Sequence, residues 1–194
     1  VETYTTIEGV RLENANGEAC GGSLINSFAH SCNSVFAPLG AKLGAQMLVQ
    51  AAEDFGFNAP PGIDGAATST IPAAGEIGDD LAVGSSAIGQ GRVQSTTLQM
   101  AITAATIAMG GRRPVPTLLR GDRPRGVEAI GRRTAQTVAR AMRAVVESGT
   151  GTAAAVPGGR VAGKTGTAEL RTTVAPTPAP GEAPVAPAPE SDPT

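Results

Sequence analysis

Gly158-Gly159-Arg160-Val161-Ala162-Gly163-Lys164-Thr165-Gly166-Thr167-Ala168-Glu169-Leu170 is the stretch on which the reading of this chain turns. Its first eight residues fit GxxxxGK[ST], the pattern of a phosphate-binding loop. Such a loop needs a buried strand before it and a helix after it, so that the helix N-terminus points at the phosphates. Ala153-Ala154-Ala155-Val156-Pro157 is a poor buried strand, and Thr165 is followed within a few residues by a proline-rich segment. No room is left for the helix, and the nucleotide reading is set aside. A GxGxxA match at Gly149, Gly151 and Ala154 is weaker still, because it follows a helical pattern.

Shifting the frame by a few residues gives a second reading, Lys164-Thr165-Gly166-Thr167 on a strand over 160–170. Alternation puts Thr165 and Thr167 on one face. Two adjacent hydroxyls can donate to one carboxylate. Gly166 lets a substrate backbone come close, and Lys164 adds positive charge. Backbone N–H groups there can face an oxyanion. On these letters alone, a glycine-rich edge strand with a solvated lysine is the simpler account.

Upstream, Ser31-Cys32-Asn33 stands between two helical patterns. On a continuous helix Ser31 and Asn33 would point about 200° apart. In a turn they can project together. A capping Ser and Asn at a helix boundary explain the triplet equally well.

The rest of the chain predicts helices at 23–30, 34–41, 45–55, 96–109 and 134–146. The second carries Pro38 in its first turns. The third carries a stripe of Met47, Leu48, Ala51, Ala52 and Phe55 and ends at Gly56. A long surface loop is expected over 58–85 and a short strand over 115–119. Helices early and midway with a strand late make an α+β chain. Residues 172–194 hold seven of the 15 prolines. The expected division is therefore a domain over 1–171 and an extended Pro/Ala-rich segment over 172–194.

Composition narrows the function. Aromatics are 3% and net charge is −2, which argues against stacked bases or a phosphate backbone as ligand, so no nucleic acid is expected. One histidine and two cysteines make no zinc set, and no metal or cofactor is expected. Cys20 and Cys32 read as two small, partly buried hydrophobes.

Taken in order, these pieces resemble a known family. Ser27-Phe28-Ala29-His30-Ser31-Cys32-Asn33-Ser34-Val35-Phe36 with Leu39-Gly40, then Ala87-Ile88-Gly89-Gln90-Gly91 and Thr97-Leu98-Gln99-Met100-Ala101, then Gly149-Thr150 and Ala162 to Glu169, are similar to the transpeptidase domain of class B penicillin-binding proteins. The likeness covers roughly Cys20 to Glu169. It implies the penicillin-recognising serine enzyme fold, an antiparallel sheet with surrounding helices, here only in part. It implies an acyl-enzyme mechanism on D-Ala-D-Ala stem peptides of peptidoglycan, with β-lactams acylating the same serine. The family roles fall on Ser31 as a proton relay, on Asn33 as the group orienting the substrate amide, and on Lys164 as its electrostatic support. Thr165 and Thr167 would hold the substrate carboxylate, and Gly166 would permit close pairing.

One departure is large. The chain's two lysines, Lys42 and Lys164, are preceded three positions earlier by Leu39 and Val161, so no S-x-x-K is present. The expectation is an inactive fragment whose nucleophile lies upstream. The runner-up is a non-catalytic relative acting as a binding or scaffold domain. A carboxypeptidase or β-lactamase of the same fold is less consistent with the pattern around Ser31 and Gly89. The resemblance further implies an N-terminal anchor, a place on the outer face of the bacterial cytoplasmic membrane, and partners in the division or elongation machinery. Export would expose the two cysteines to oxidation, but their spacing does not decide whether they pair.

Overall fold

A computed structural model describes residues 1–121 and 126–166. The chain opens with a hairpin, β1 (Tyr4–Ile7) and β2 (Val10–Glu13), paired antiparallel with Ile7 opposite Val10. Its two-residue turn, Glu8-Gly9, has positive φ at both positions, the mirror-image geometry that suits the strand twist. Six α-helices follow among the described residues: α1 (Leu24–Ala29), α2 (Asn33–Leu43), α3 (Ala45–Asp54), α4 (Asp80–Ala87), α5 (Thr97–Ala108) and α6 (Arg132–Ser148). A second hairpin of two-residue strands, β3 (Arg112–Arg113) and β4 (Val127–Glu128), lies between α5 and α6.

Local chemistry sets the helix starts. Ser23 accepts from the Asn26 N–H, Asp79 from Ala82 and Thr96 from Gln99, which satisfies donors that a first turn leaves open. Helix α2 is longer than the sequence predicts at both ends and carries Pro38 inside it. Its crossing with α4 depends on two glycines. A Cβ on Gly40 would stand 2.1 Å from the Ala87 Cβ, and one on Gly84 would stand 2.9 Å from the Ala37 carbonyl oxygen. That close approach explains why α4, with Gly84, Ser85 and Ser86, shows no apolar stripe in the sequence.

The main core gathers Val49, Ile71, Ile77 and Val83. Two expectations are corrected by it. The buried side of α3 centres on Val49, while Met47 is 63% exposed, so the stripe is rotated from the one read in the sequence. The 58–85 segment is not a plain surface loop. Ile71 and Ile77 plug the core from it, Thr70 pairs with Gln94, and α4 begins inside its span. The strand expected over 115–119 is also absent. Pro114 and Pro116 each remove a ladder donor, and the pairing falls on Arg112–Arg113 instead.

Helix α6 packs on α1 and α5 through Ala135, Ala141, Val145 and Val146. Beyond it the chain turns back, and the Gly163 N–H donates to the Met142 carbonyl. Residues 161–166 carry no regular secondary structure and belong to no ladder among the described residues. The strand expected over 160–170 is thus not formed in its described part, and 167–170 lie outside the described residues, as does the 172–194 segment.

Candidate active site

Helix α1 ends at Ala29 with His30 as its C-cap, and α2 begins after Cys32. Ser31 and Cys32 therefore form a tight turn, held by Ser31 N–H to the Phe28 carbonyl and Cys32 N–H to the Ser27 carbonyl. Ser31 has φ +55°. A non-glycine residue there costs on the order of 1 kcal/mol, so other contacts must hold the turn.

Two sets of contacts do so. Cys20 and Cys32 are joined by a disulfide with Cα atoms 5.8 Å apart. This corrects their reading as two separate small hydrophobes. Asn14, only 4% exposed, donates from Nδ2 to the Glu2 and Glu18 carbonyls at 2.8 and 2.9 Å. Its Oδ1 accepts the Ser34 N–H at 2.8 Å. Cys32 makes no side-chain cap, so Asn14 caps α2 from 20 residues away. Asn14 sits in no local sequence pattern that marks it; the one signal is a cysteine at a helix start where a capping side chain is needed.

Lys164 reaches this turn from 133 residues away. Its Nζ donates to Ser31 Oγ at 2.7 Å and to the Thr165 carbonyl at 2.9 Å, and it lies 5.8 Å from the centre of the Phe28 ring. The side chain bends forward along its own backbone, so it shares a site with Thr165 without the alternation of a regular strand. Much of the side chain is open to solvent, but packing around the ammonium removes water from it and lowers its pKa.

Thr165 Oγ1 lies 2.6 Å from Thr150 Oγ1. Asn33, the first residue of α2, gives its Nδ2 to the Glu13 carbonyl at 2.9 Å, which ties it to the first hairpin. Among the described residues, no atom other than those of its chain neighbours lies within 4 Å of where a Cβ on Gly166 would stand. Thr167 lies outside the described residues. The structure thus brings Ser31, Lys164 and Thr165 together and orients Asn33 by its neighbour in β2. Among the described residues no three His, Cys, Asp or Glu side chains are grouped as a metal site.

The arrangement has a defined chemical capacity. Ser31 accepts a hydrogen bond from an ammonium, which leaves its own proton free to be donated. The positive charge beside it stabilises anionic character that develops on the oxygen.

The penicillin binding protein transpeptidase domain matches this chain over residues 5–181. The chain belongs to that transpeptidase family. It is similar to the peptidoglycan D,D-transpeptidase PbpA of Mycolicibacterium smegmatis, 36% identical over 176 residues, covering 81% of this chain and 35% of the relative. It spans about a third of the length of such relatives. Among solved structures it resembles the D,D-transpeptidase domain of a peptidoglycan glycosyltransferase from Eggerthella lenta, with TM-score 0.76, 32% identity, and 88% and 48% of the two chains covered. It also resembles penicillin-binding protein A from M. tuberculosis in an imipenem acyl-enzyme complex, with TM-score 0.66, 30% identity, and 75% and 37% covered. These likenesses establish the expected penicillin-recognising transpeptidase fold, of which the chain carries a part.

Proposed function

We propose that the whole protein is a serine D,D-transpeptidase that cross-links peptidoglycan, and that this chain supplies the second and third motifs of its site. The observation that carries the proposal is the 2.7 Å contact between Lys164 and Ser31, with the Thr165 carbonyl as the second acceptor of the same ammonium. In this reading a serine of an S-x-x-K motif, outside these 194 residues, attacks the penultimate D-Ala carbonyl of a stem peptide. The C–N bond breaks, the acyl group stays on that serine, and D-Ala leaves with a proton relayed through Ser31. An amine of a neighbouring strand then takes the acyl group. Lys164 supports Ser31, Asn33 orients the substrate amide, and Thr165 and Thr167 hold the terminal carboxylate beside Gly166. β-Lactams are the expected covalent inhibitors, consistent with the acyl-enzyme complex of the similar M. tuberculosis protein.

The same reading places the domain, 1–171, on the outer face of the cytoplasmic membrane, tethered by a segment not in this sequence, among division or elongation proteins. Among the described residues no helix is long and apolar enough to cross a membrane. The absence of S-x-x-K from these residues favours one second reading, a non-catalytic relative that binds peptide or protein without turnover.

Intact mass of the full-length gene product after incubation with benzylpenicillin separates the two. One adduct, mapped to a serine three residues before a lysine and outside this chain, is the expected result. No adduct on folded full-length protein overturns the enzyme and supports the binding relative. An adduct on the isolated 194-residue chain overturns the placement of the nucleophile.

A further inference from the structure

Thr150 belongs to Gly149-Thr150-Gly151, a stretch that the proposed mechanism leaves without a role. The structure sets it between the two halves of the site. Its N–H donates to the Ala29 carbonyl at 3.0 Å, its Oγ1 lies 3.3 Å from the same carbonyl, and Oγ1 also lies 2.6 Å from Thr165 Oγ1. Ala29 is two residues before Ser31. The flanking glycines permit this crossing: a Cβ on Gly149 would stand 2.2 Å from the Ala29 carbonyl oxygen, and one on Gly151 would stand 3.0 Å from the Val145 Cγ1.

We infer that Thr150 is a positioning residue that aims the Thr165 hydroxyl proton at a ligand carboxylate. The inference rests on the reading of Thr165 proposed above. A threonine hydroxyl has one proton and can accept others. Without ligand, Thr165 donates to Thr150 and Thr150 donates to the Ala29 carbonyl. When a carboxylate arrives beside Thr165, that proton must turn to the ligand. Thr165 Oγ1 is then left needing a donor, and Thr150 supplies it by swinging its own proton from Ala29 to Thr165. The Ala29 carbonyl keeps the Thr150 backbone N–H throughout, so the switch strands no buried group. No bond is made or broken and no charge moves; two hydroxyl rotors turn. A carboxylate then meets a donor already polarised by a second hydroxyl, and the same threonine fixes the distance from the carboxylate subsite to the Ser31 turn.

The test uses the full-length protein and two probes, benzylpenicillin and its methyl ester, which lacks the carboxylate charge. The second-order acylation rate is measured for wild type, Thr150→Val, Thr150→Ser and Thr165→Val. Wild type is expected to prefer the acid. Thr150→Val, which keeps the shape and loses the hydroxyl, is expected to lower that preference about tenfold, the upper end for one hydrogen bond between neutral groups. Its rate with the ester should stay near wild type. Thr165→Val should lose the preference as well, and Thr150→Ser should keep it. A merely structural role would slow both probes together, and that result overturns the inference, as does a wild-type acid preference in Thr150→Val. If Thr150→Val does not fold, Thr150→Ala serves, judged on the same ratio. Wild-type protein that takes no adduct overturns the proposed function and the inference with it. Wild type that is acylated, with only the Thr150 variants unchanged, overturns the inference alone.

Discussion

Replacing Asn14 by alanine removes the long-range cap of α2 and should cost a large share of this chain's stability. The side chain is 4% exposed and makes three hydrogen bonds: two donated to the Glu2 and Glu18 carbonyls and one accepted from the Ser34 N–H. At a net ~1 kcal/mol each, their loss amounts to about 3 kcal/mol, before any penalty for partners left buried without water. For a chain of this length that corresponds to a fall in Tm of roughly 6–12 °C. Asn14→Asp is the informative companion. It keeps the acceptor for Ser34 but replaces the donor with an oxygen facing two carbonyls, so it should rescue little. Thermal and urea unfolding followed by circular dichroism measure both. A loss below about 1 kcal/mol in Asn14→Ala, or a wild-type Tm in Asn14→Asp, would refute the claim that this amide holds the start of α2.

The disulfide and the lysine give two further tests. The Cys20–Cys32 link closes a 12-residue separation, so Cys20→Ser with Cys32→Ser, or reduction, should cost about 3 kcal/mol by loop entropy, read as a lower urea midpoint; an unchanged midpoint contradicts it. The Lys164 pKa is lowered by burial, so between its folded and unfolded values the unfolded chain holds the extra proton and stability rises with pH. Above that window the penalty is gone, and below it the penalty is fully present. Lys164→Met should flatten this rise in unfolding measured across the alkaline range. A Lys164 side-chain titration by NMR at or above the usual lysine value would contradict the packing account.

What the sequence disclosed and what it withheld follow from the range of the interactions. Helices α1, α2, α3, α5 and α6 were legible because caps and apolar spacing are local. The Ser31 turn was legible as a junction between two helical patterns. Helix α4 was hidden because its face is made of small residues that matter only against Gly40 and Ala37 of another helix. Met47 stands in the apolar stripe of the sequence yet outside the core, because the side of α3 that is covered depends on where Ile71 and Ile77 arrive. In the site, letters alone could not tell Lys164 on a solvated edge from Lys164 against Ser31. That contact joins residues 133 apart and needs a side chain that curls along its own backbone. Asn14 and the role of Thr150 were hidden for the same reason: an asparagine in a loop and a threonine between glycines acquire their functions only from partners 20 or 121 residues distant.

Acylation of the full-length protein by benzylpenicillin, compared between wild type and Lys164→Ala, tests the central claim that Lys164 and Ser31 form half of an acyl-transfer site. The account predicts one adduct per wild-type molecule and a rate lower by about 10²-fold or more in the variant, the size of losing a preorganised electrostatic group. Equal rates in a folded Lys164→Ala variant, or no adduct on wild type, would contradict it.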